Sequence, residues 1–213
     1  VGVDGWGVDY ALLDRDGALL GLPFHHRDGR TRGAAVVVAE AVAREDLYAR
    51  TGTTQVLGRT IPIWGFSTDA SGTATAPGPV LVVHQGDEVT VRLHNLLSEQ
   101  VSLAFPGQPA STFSAGLDST SGAAPADTAS YTFTANRPGT FVYEAGHTPD
   151  GTREVAMGLA GALVVLSDDG TASGQAYDDE AVLVLSEIDP ALNAAPATFD
   201  MRDFQPRYRL ING

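Results

Sequence analysis

From Glu45 onward the chain is punctuated at short, regular intervals by turn residues, and that spacing suits strands rather than helices. In Val89-Thr90-Val91-Arg92-Leu93-His94, Val89, Val91 and Leu93 fall on one face, as the two-residue repeat of a strand requires. Gln85-Gly86-Asp87 makes a tight turn into that strand, and Asn136-Arg137-Pro138-Gly139 separates strands at Ser130–Thr134 and Thr140–Glu144. Further strands are expected at Asp46–Arg50, Thr60–Phe66, Val80–His84, Val101–Phe105, Leu159–Leu166 and Ala181–Ser186, with Gly52 and Gly58 in the loop joining the first two. No long amphipathic helix interrupts the series. The pattern predicts an all-β sandwich with Greek-key connections.

Composition narrows the chemistry. With 43% hydrophobic and 18% charged residues in 213, the chain can bury a core. A net charge of −13 opposes nucleic-acid binding, which needs a basic face to displace phosphate counterions. All 13 cationic side chains are arginine. The absence of cysteine rules out disulfides, thiolate nucleophiles and cysteine-containing zinc sites. The apolar runs Ala34–Ala39 and Ala181–Leu185 fall far short of the roughly 20 residues that span a bilayer, so no membrane helix is expected.

Residues 1–44 read as an N-terminal extension, with Asp4-Gly5, Asp16-Gly17 and Asp28-Gly29 as turns between short apolar pieces. Ala35–Leu47 fits a helix by its Ala, Glu and Arg content and a strand by its valines. Arg30–Ala41 has the outline of an export signal, but its apolar core is too short and lies too far into the chain. Asp14-Arg15-Asp16-Gly17 starts like a calcium loop, yet Ala18 and Phe24 stand where such a loop needs oxygen ligands. His25 and His26 are adjacent, so in a strand they point to opposite faces and do not chelate together.

Several segments occur in the order found in multicopper oxidases. They are Pro77-Gly78-Pro79, Gln85-Gly86-Asp87, His94-Asn95, Arg137-Pro138-Gly139-Thr140-Phe141-Val142-Tyr143, Met157-Gly158-Leu159-Ala160-Gly161-Ala162-Leu163-Val164-Val165 and Leu185-Ser186-Glu187-Ile188-Asp189-Pro190. Over roughly Glu45–Gly213 the chain resembles the amino-terminal domain of bacterial, laccase-like multicopper oxidases. The resemblance implies a cupredoxin-like domain at 45–190, followed at 191–213 by a linker and the first strand of a second domain. Pro206-Arg207-Tyr208-Arg209-Leu210-Ile211-Asn212-Gly213 looks like that strand, ending on a hairpin-turn signal as a truncated or nicked chain would.

The same resemblance implies where copper ligands would stand. A blue copper site takes two imidazoles, a thiolate and usually an axial Met. In related copper domains the strand after Gly-Thr-Phe-x-Tyr supplies His then Cys, with a later His and Met; the matching positions here are Glu144, Ala145, Glu154 and Leu159. For a trinuclear cluster the first domain supplies two His-x-His pairs. The first pair falls on Ala104 and Pro106, or on Ser102 and Ala104 if slipped by two residues; the second falls on Glu144 and Gly146. None of these is histidine. No catalytic, cofactor-binding or metal residue is therefore expected in this chain, although copper is implied for later domains of the parent protein.

His147 follows Glu144 by three residues, but a third ligand is missing and a surface or packing role is expected. Asp168-Asp169 and Asp178-Asp179-Glu180 read as solvated loop acids. No nucleophile-elbow spacing or phosphate-cradling glycine loop occurs. The sequence expectation is thus a non-catalytic, copper-free first domain of an oxidase that passes electrons from a reducing substrate to dioxygen, partnered by the remaining cupredoxin domains and exported as its family is. Homo-oligomerisation is left open. A stand-alone copper-less β-sandwich binding module is the alternative. A nitrite-reductase-like protein fits less well, because its mononuclear site would fall in this domain.

Overall fold

A computed structural model describes residues 46–108, 122–146, 148–167, 171 and 180–213. Among them are ten strands and two short α-helices: β1 (Asp46–Val56), β2 (Arg59–Ser67), β3 (Leu81–His84), β4 (Glu88–Asn95), β5 (Leu103–Ala104), β6 (Thr128–Thr134), β7 (Gly139–Ala145), α1 (Gly151–Met157), β8 (Ala160–Leu166), β9 (Leu185–Ile188), α2 (Pro190–Ala194) and β10 (Tyr208–Ile211). One four-stranded sheet runs β2-β1-β4-β6 and the other β3-β8-β7-β5. From β2 to β7 every consecutive strand changes sheet, the signature of a cupredoxin-like Greek-key sandwich.

The alternation read from the sequence is what joins the two layers. Leu47, Val91, Leu93, Tyr131 and Phe133 from one sheet meet Leu103, Tyr143, Leu163 and Val165 from the other in a single buried cluster. The Phe105 ring lies 4.6 Å from Phe133, and Phe66 lies 5.6 Å from Tyr143. Tyr143 is fully buried and its hydroxyl donates to the Pro79 carbonyl at 2.7 Å. The backbone makes room for it: a Cβ on Gly161 would stand 2.4 Å from the Tyr143 ring, and one on Gly78 2.5 Å from its hydroxyl.

Three expectations need correction. The loop between the first two strands does not include Gly52, which lies inside β1; the turn is Leu57-Gly58, with φ of 48° and 75°. Val101–Phe105 shortens to β5, with Val101 forming an isolated bridge to Ala123. The last strand begins at Leu185 rather than Ala181, and it does not close either main sheet. Instead β9 pairs antiparallel with β10 in a separate ribbon. A short apolar run reports burial and cannot specify a strand's partner.

Asp189 explains why the chain leaves β9 abruptly. Its carboxylate accepts from Ala191 N at 2.9 Å and Gln205 N at 2.8 Å, capping α2 with Pro190 in the first turn. The Leu57 turn carries a cost, because a left-handed backbone crowds the Cβ of a leucine that is 88% exposed and gains little from packing. Leu57→Asn is expected to stabilise the protein by about 0.5–1 kcal/mol, read as a higher thermal midpoint; an unchanged or lower midpoint counts against this account.

Candidate metal centre

The edge formed by β5 and β7 brings together four of the positions that the resemblance matches to trinuclear ligands. Ala104 lies directly opposite Glu144 in the antiparallel pairing. The Ser102 hydroxyl donates to the Gly146 carbonyl, and Gly146 N donates to Ser102 O at 3.3 Å. A Cβ on Gly146 would stand 2.5 Å from the Ala104 Cβ. Ser102, Ala104, Glu144 and Gly146 are therefore one patch. Pro106 lies in the turn beyond the strand and is exposed.

This patch does not fit copper. Its four positions offer a hydroxyl already committed to a carbonyl, a methyl group, one half-buried carboxylate and a glycine. Copper in such sites favours imidazole and sulfur donors, and a single hard oxygen cannot replace several of them. Among the described residues no three His, Cys, Asp or Glu side chains are grouped so as to hold a metal ion.

The positions matching a mononuclear site also converge. Ala145 N donates to Leu159 O at 2.8 Å, and Leu159 N donates to Glu154 O at 3.1 Å. Helix α1 carries Glu154 between them and ends at Gly158, whose φ of 121° turns the chain into β8. Ala145 and Leu159 join Met157 in the core, leaving Glu154 as the polar member.

Glu154 is fully buried. Its Oε1 accepts from the Thr148 hydroxyl at 3.2 Å, while Oε2 has no hydrogen-bond partner. Burial pushes its carboxyl up to about 7; the Thr148 bond opposes that rise, nearby Glu99 and Asp150 reinforce it, and Arg153 opposes it. Burial likewise raises the Tyr131 phenol, with a smaller contribution from Glu154 acting against the Leu103 backbone bond.

Arg153 is committed elsewhere. It forms a two-pronged pair with Glu99 at 2.8 and 2.9 Å, approaches Asp150 at 3.2 Å and donates to Pro196 O at 3.2 Å. Its guanidinium carbon lies 5.9 Å from the Trp64 ring centroid. Sequence reading missed this cluster because Glu99, Trp64 and Arg153 are far apart in the chain. It also missed the cross-strand chain on the other sheet, where Asp46 meets His94 at 2.8 Å, His94 meets Thr128 at 2.9 Å and Tyr48 stacks on the imidazole. His94 stands directly opposite Tyr48 and Thr128 in the β1–β4–β6 register, with Asp46 on the diagonal, an arrangement that stabilises a sheet face.

His147, His25, His26, the Asp14–Gly17 segment, Asp168, Asp169, Asp178 and Asp179 lie outside the described residues. The described helices include none long and apolar enough to cross a membrane.

A sandwich of this topology defines a cupredoxin-like domain. Residues 70–170 match the multicopper oxidase family model. That segment is a little under half of the chain and has the likeness of a multicopper oxidase domain. Blue copper oxidase from Nitrosomonas europaea superposes with a TM-score of 0.67 at 23% identity, over 78% of this chain and 52% of that one. Copper nitrite reductase from the same organism gives a TM-score of 0.61 at 28% identity, over 79% and 55%. The chain thus spans about half the length of these copper proteins. A separate likeness joins 52 residues to rhamnulokinase of Pectobacterium carotovorum, 52% identical, covering 24% of this chain and 10% of the kinase. None of the motifs read from the sequence signals it.

Proposed function

We propose that this chain supplies a non-catalytic, copper-free first domain to a multicopper oxidase whose later domains bind copper and pass electrons from a reducing substrate to dioxygen. The observation that carries the reading is the meeting of Ser102, Ala104, Glu144 and Gly146 at one patch without an imidazole. The scaffold aligns strands for ligands that the side chains do not supply, so its contribution is architectural. Residues 45–190 would be the domain and 191–213 the lead into the next one, with β10 fastened to β9. Its partners would be the remaining cupredoxin domains, and export follows the habit of the family.

The 28% likeness to a nitrite reductase is compatible with the same fold, but electron transfer at a mononuclear site needs sulfur where this chain has Ala145. A 52-residue share of a rhamnulokinase is a tenth of that enzyme and supports no kinase assignment. A stand-alone binding module is the second reading, favoured by a largely apolar groove of about 550 Å³ between α1 and the β9–β10 ribbon, of the size small ligands occupy. Intact mass of the native gene product separates the two: a much longer product supports the oxidase, and a product ending near Gly213 supports the module.

Dialysis of the purified chain against copper, followed by metal analysis, tests the copper-free assignment. The expected result is substoichiometric, readily removed copper. Tightly held stoichiometric copper that is lost on substitution of Glu144 or His147 would overturn it.

A further inference from the structure

We infer that Glu154 is a proton-controlled latch on α1, keeping the segment closed while the carboxyl is protonated and loosening it when the carboxyl ionises. The inference rests on the copper-free reading of this domain and goes beyond it, giving the altered position a regulatory role.

The geometry supports a latch in three ways. Glu154 is fully buried, with one oxygen held by Thr148 and the other without a partner, an arrangement that tolerates a neutral carboxyl far better than an anion. The groups facing it do not rescue the anion. Among the described residues, Glu99 and Asp150 are carboxylates, Tyr131 is a buried phenol, and the cation that acts on it, Arg153, is already paired with Glu99 and Asp150. The element that would move is small: α1 has seven residues and no side-chain cap at Asp150, so little beyond tertiary packing holds it.

The direction of the response follows from linkage. With α1 open, the carboxyl meets water and titrates in the ordinary range; with α1 closed, burial raises it to about 7. Between the two values the closed form binds one more proton than the open form. Closure is therefore most secure below the ordinary carboxyl range, weakens as pH rises toward 7, and levels off above that. Val155, Met157 and Gly158 of the same segment line the groove beside the β9–β10 ribbon, so loosening α1 reshapes that groove.

Amide hydrogen exchange of residues 151–159, followed in the full chain from pH 5 to pH 8 and corrected for intrinsic exchange, reads the latch. Protection in the wild type is expected to fall about tenfold per pH unit between pH 5 and 7 and to flatten above. E154Q keeps a neutral side chain and is expected to remove that slope. Every other ionisable side chain is common to both proteins, so the difference between the profiles isolates Glu154. Parallel profiles overturn the latch. If E154Q fails to fold, carboxyl carbon NMR of the wild type decides: a midpoint within a unit of 7 supports the latch, and one near 4.5 overturns it. Metal analysis of the same samples keeps the two readings apart. Copper held by the wild type and lost in E154Q would overturn the copper-free reading together with the latch, whereas parallel profiles in metal-free protein overturn the latch alone.

Discussion

Tyr143→Ala is expected to lower stability by about 3–5 kcal/mol, a large share of the roughly 5–15 kcal/mol that holds a domain folded. Tyr143 is fully buried in β7, within 5.6 Å of Phe66 and 6.4 Å of Phe105 by ring centroids. Truncation would leave a cavity that its neighbours cannot collapse into, because Gly78 and Gly161 have no side chains to move. It would also strand the Pro79 carbonyl. Tyr143→Phe separates these contributions: it keeps the ring and removes only the hydroxyl, and should cost about 1 kcal/mol. Gly161→Ala tests the same contact from the other side, at about 1–3 kcal/mol, since its new methyl would overlap the ring. Urea unfolding midpoints measure all three. A loss under 1 kcal/mol for Tyr143→Ala would show that the two sheets do not depend on this residue.

The second large effect is expected at Arg153→Met. Arg153 is 13% and Glu99 24% exposed at the side chain, so the pair is mostly withdrawn from water. Methionine can fill the space beside Trp64, but it leaves Glu99 without its two-pronged partner and removes a cation that acts on Glu154. A fully buried pair would cost more; with partial screening the expected loss is about 2–4 kcal/mol. Glu99→Gln combined with Arg153→Met should recover most of it, because the penalty comes from the stranded charge rather than from the lost attraction. If the double variant is no more stable than Arg153→Met alone, that explanation fails.

How much of this was legible beforehand depends on the range of the interaction. Val89, Val91 and Leu93 showed their shared face because strand alternation is local, and Gln85-Gly86-Asp87 announced its turn for the same reason. The resemblance placed the first pair on Ala104 and Pro106, or on Ser102 and Ala104 if slipped, and the second on Glu144 and Gly146; that Ala104 stands opposite Glu144 is visible only in the β5–β7 register. The strand partner of Leu185–Ile188 was not legible, since its apolar residues satisfy either a main sheet or a ribbon with Tyr208–Ile211. Nor was the environment of Glu154. A glutamate in a seven-residue helix looks like a solvated side chain, and only the folded chain shows it fully buried. Its neighbours Glu99 and Arg153 carry no spacing signal, because their meeting is a product of the whole fold.

Strand β8 lies between β3 and β7, pairing parallel with one and antiparallel with the other. Leu81 therefore has to wait for Leu163, and during synthesis β3 leaves the ribosome long before its hydrogen-bonding neighbour exists. Pairings between distant segments close slowly, and an apolar strand with a bare edge is a target for aggregation meanwhile. Leu81-Val82-Val83 is such an edge. The nascent chain is consequently at its most vulnerable between the emergence of β3 and that of β8, and a holdase acting in this interval would raise the yield of folded protein more than one acting later.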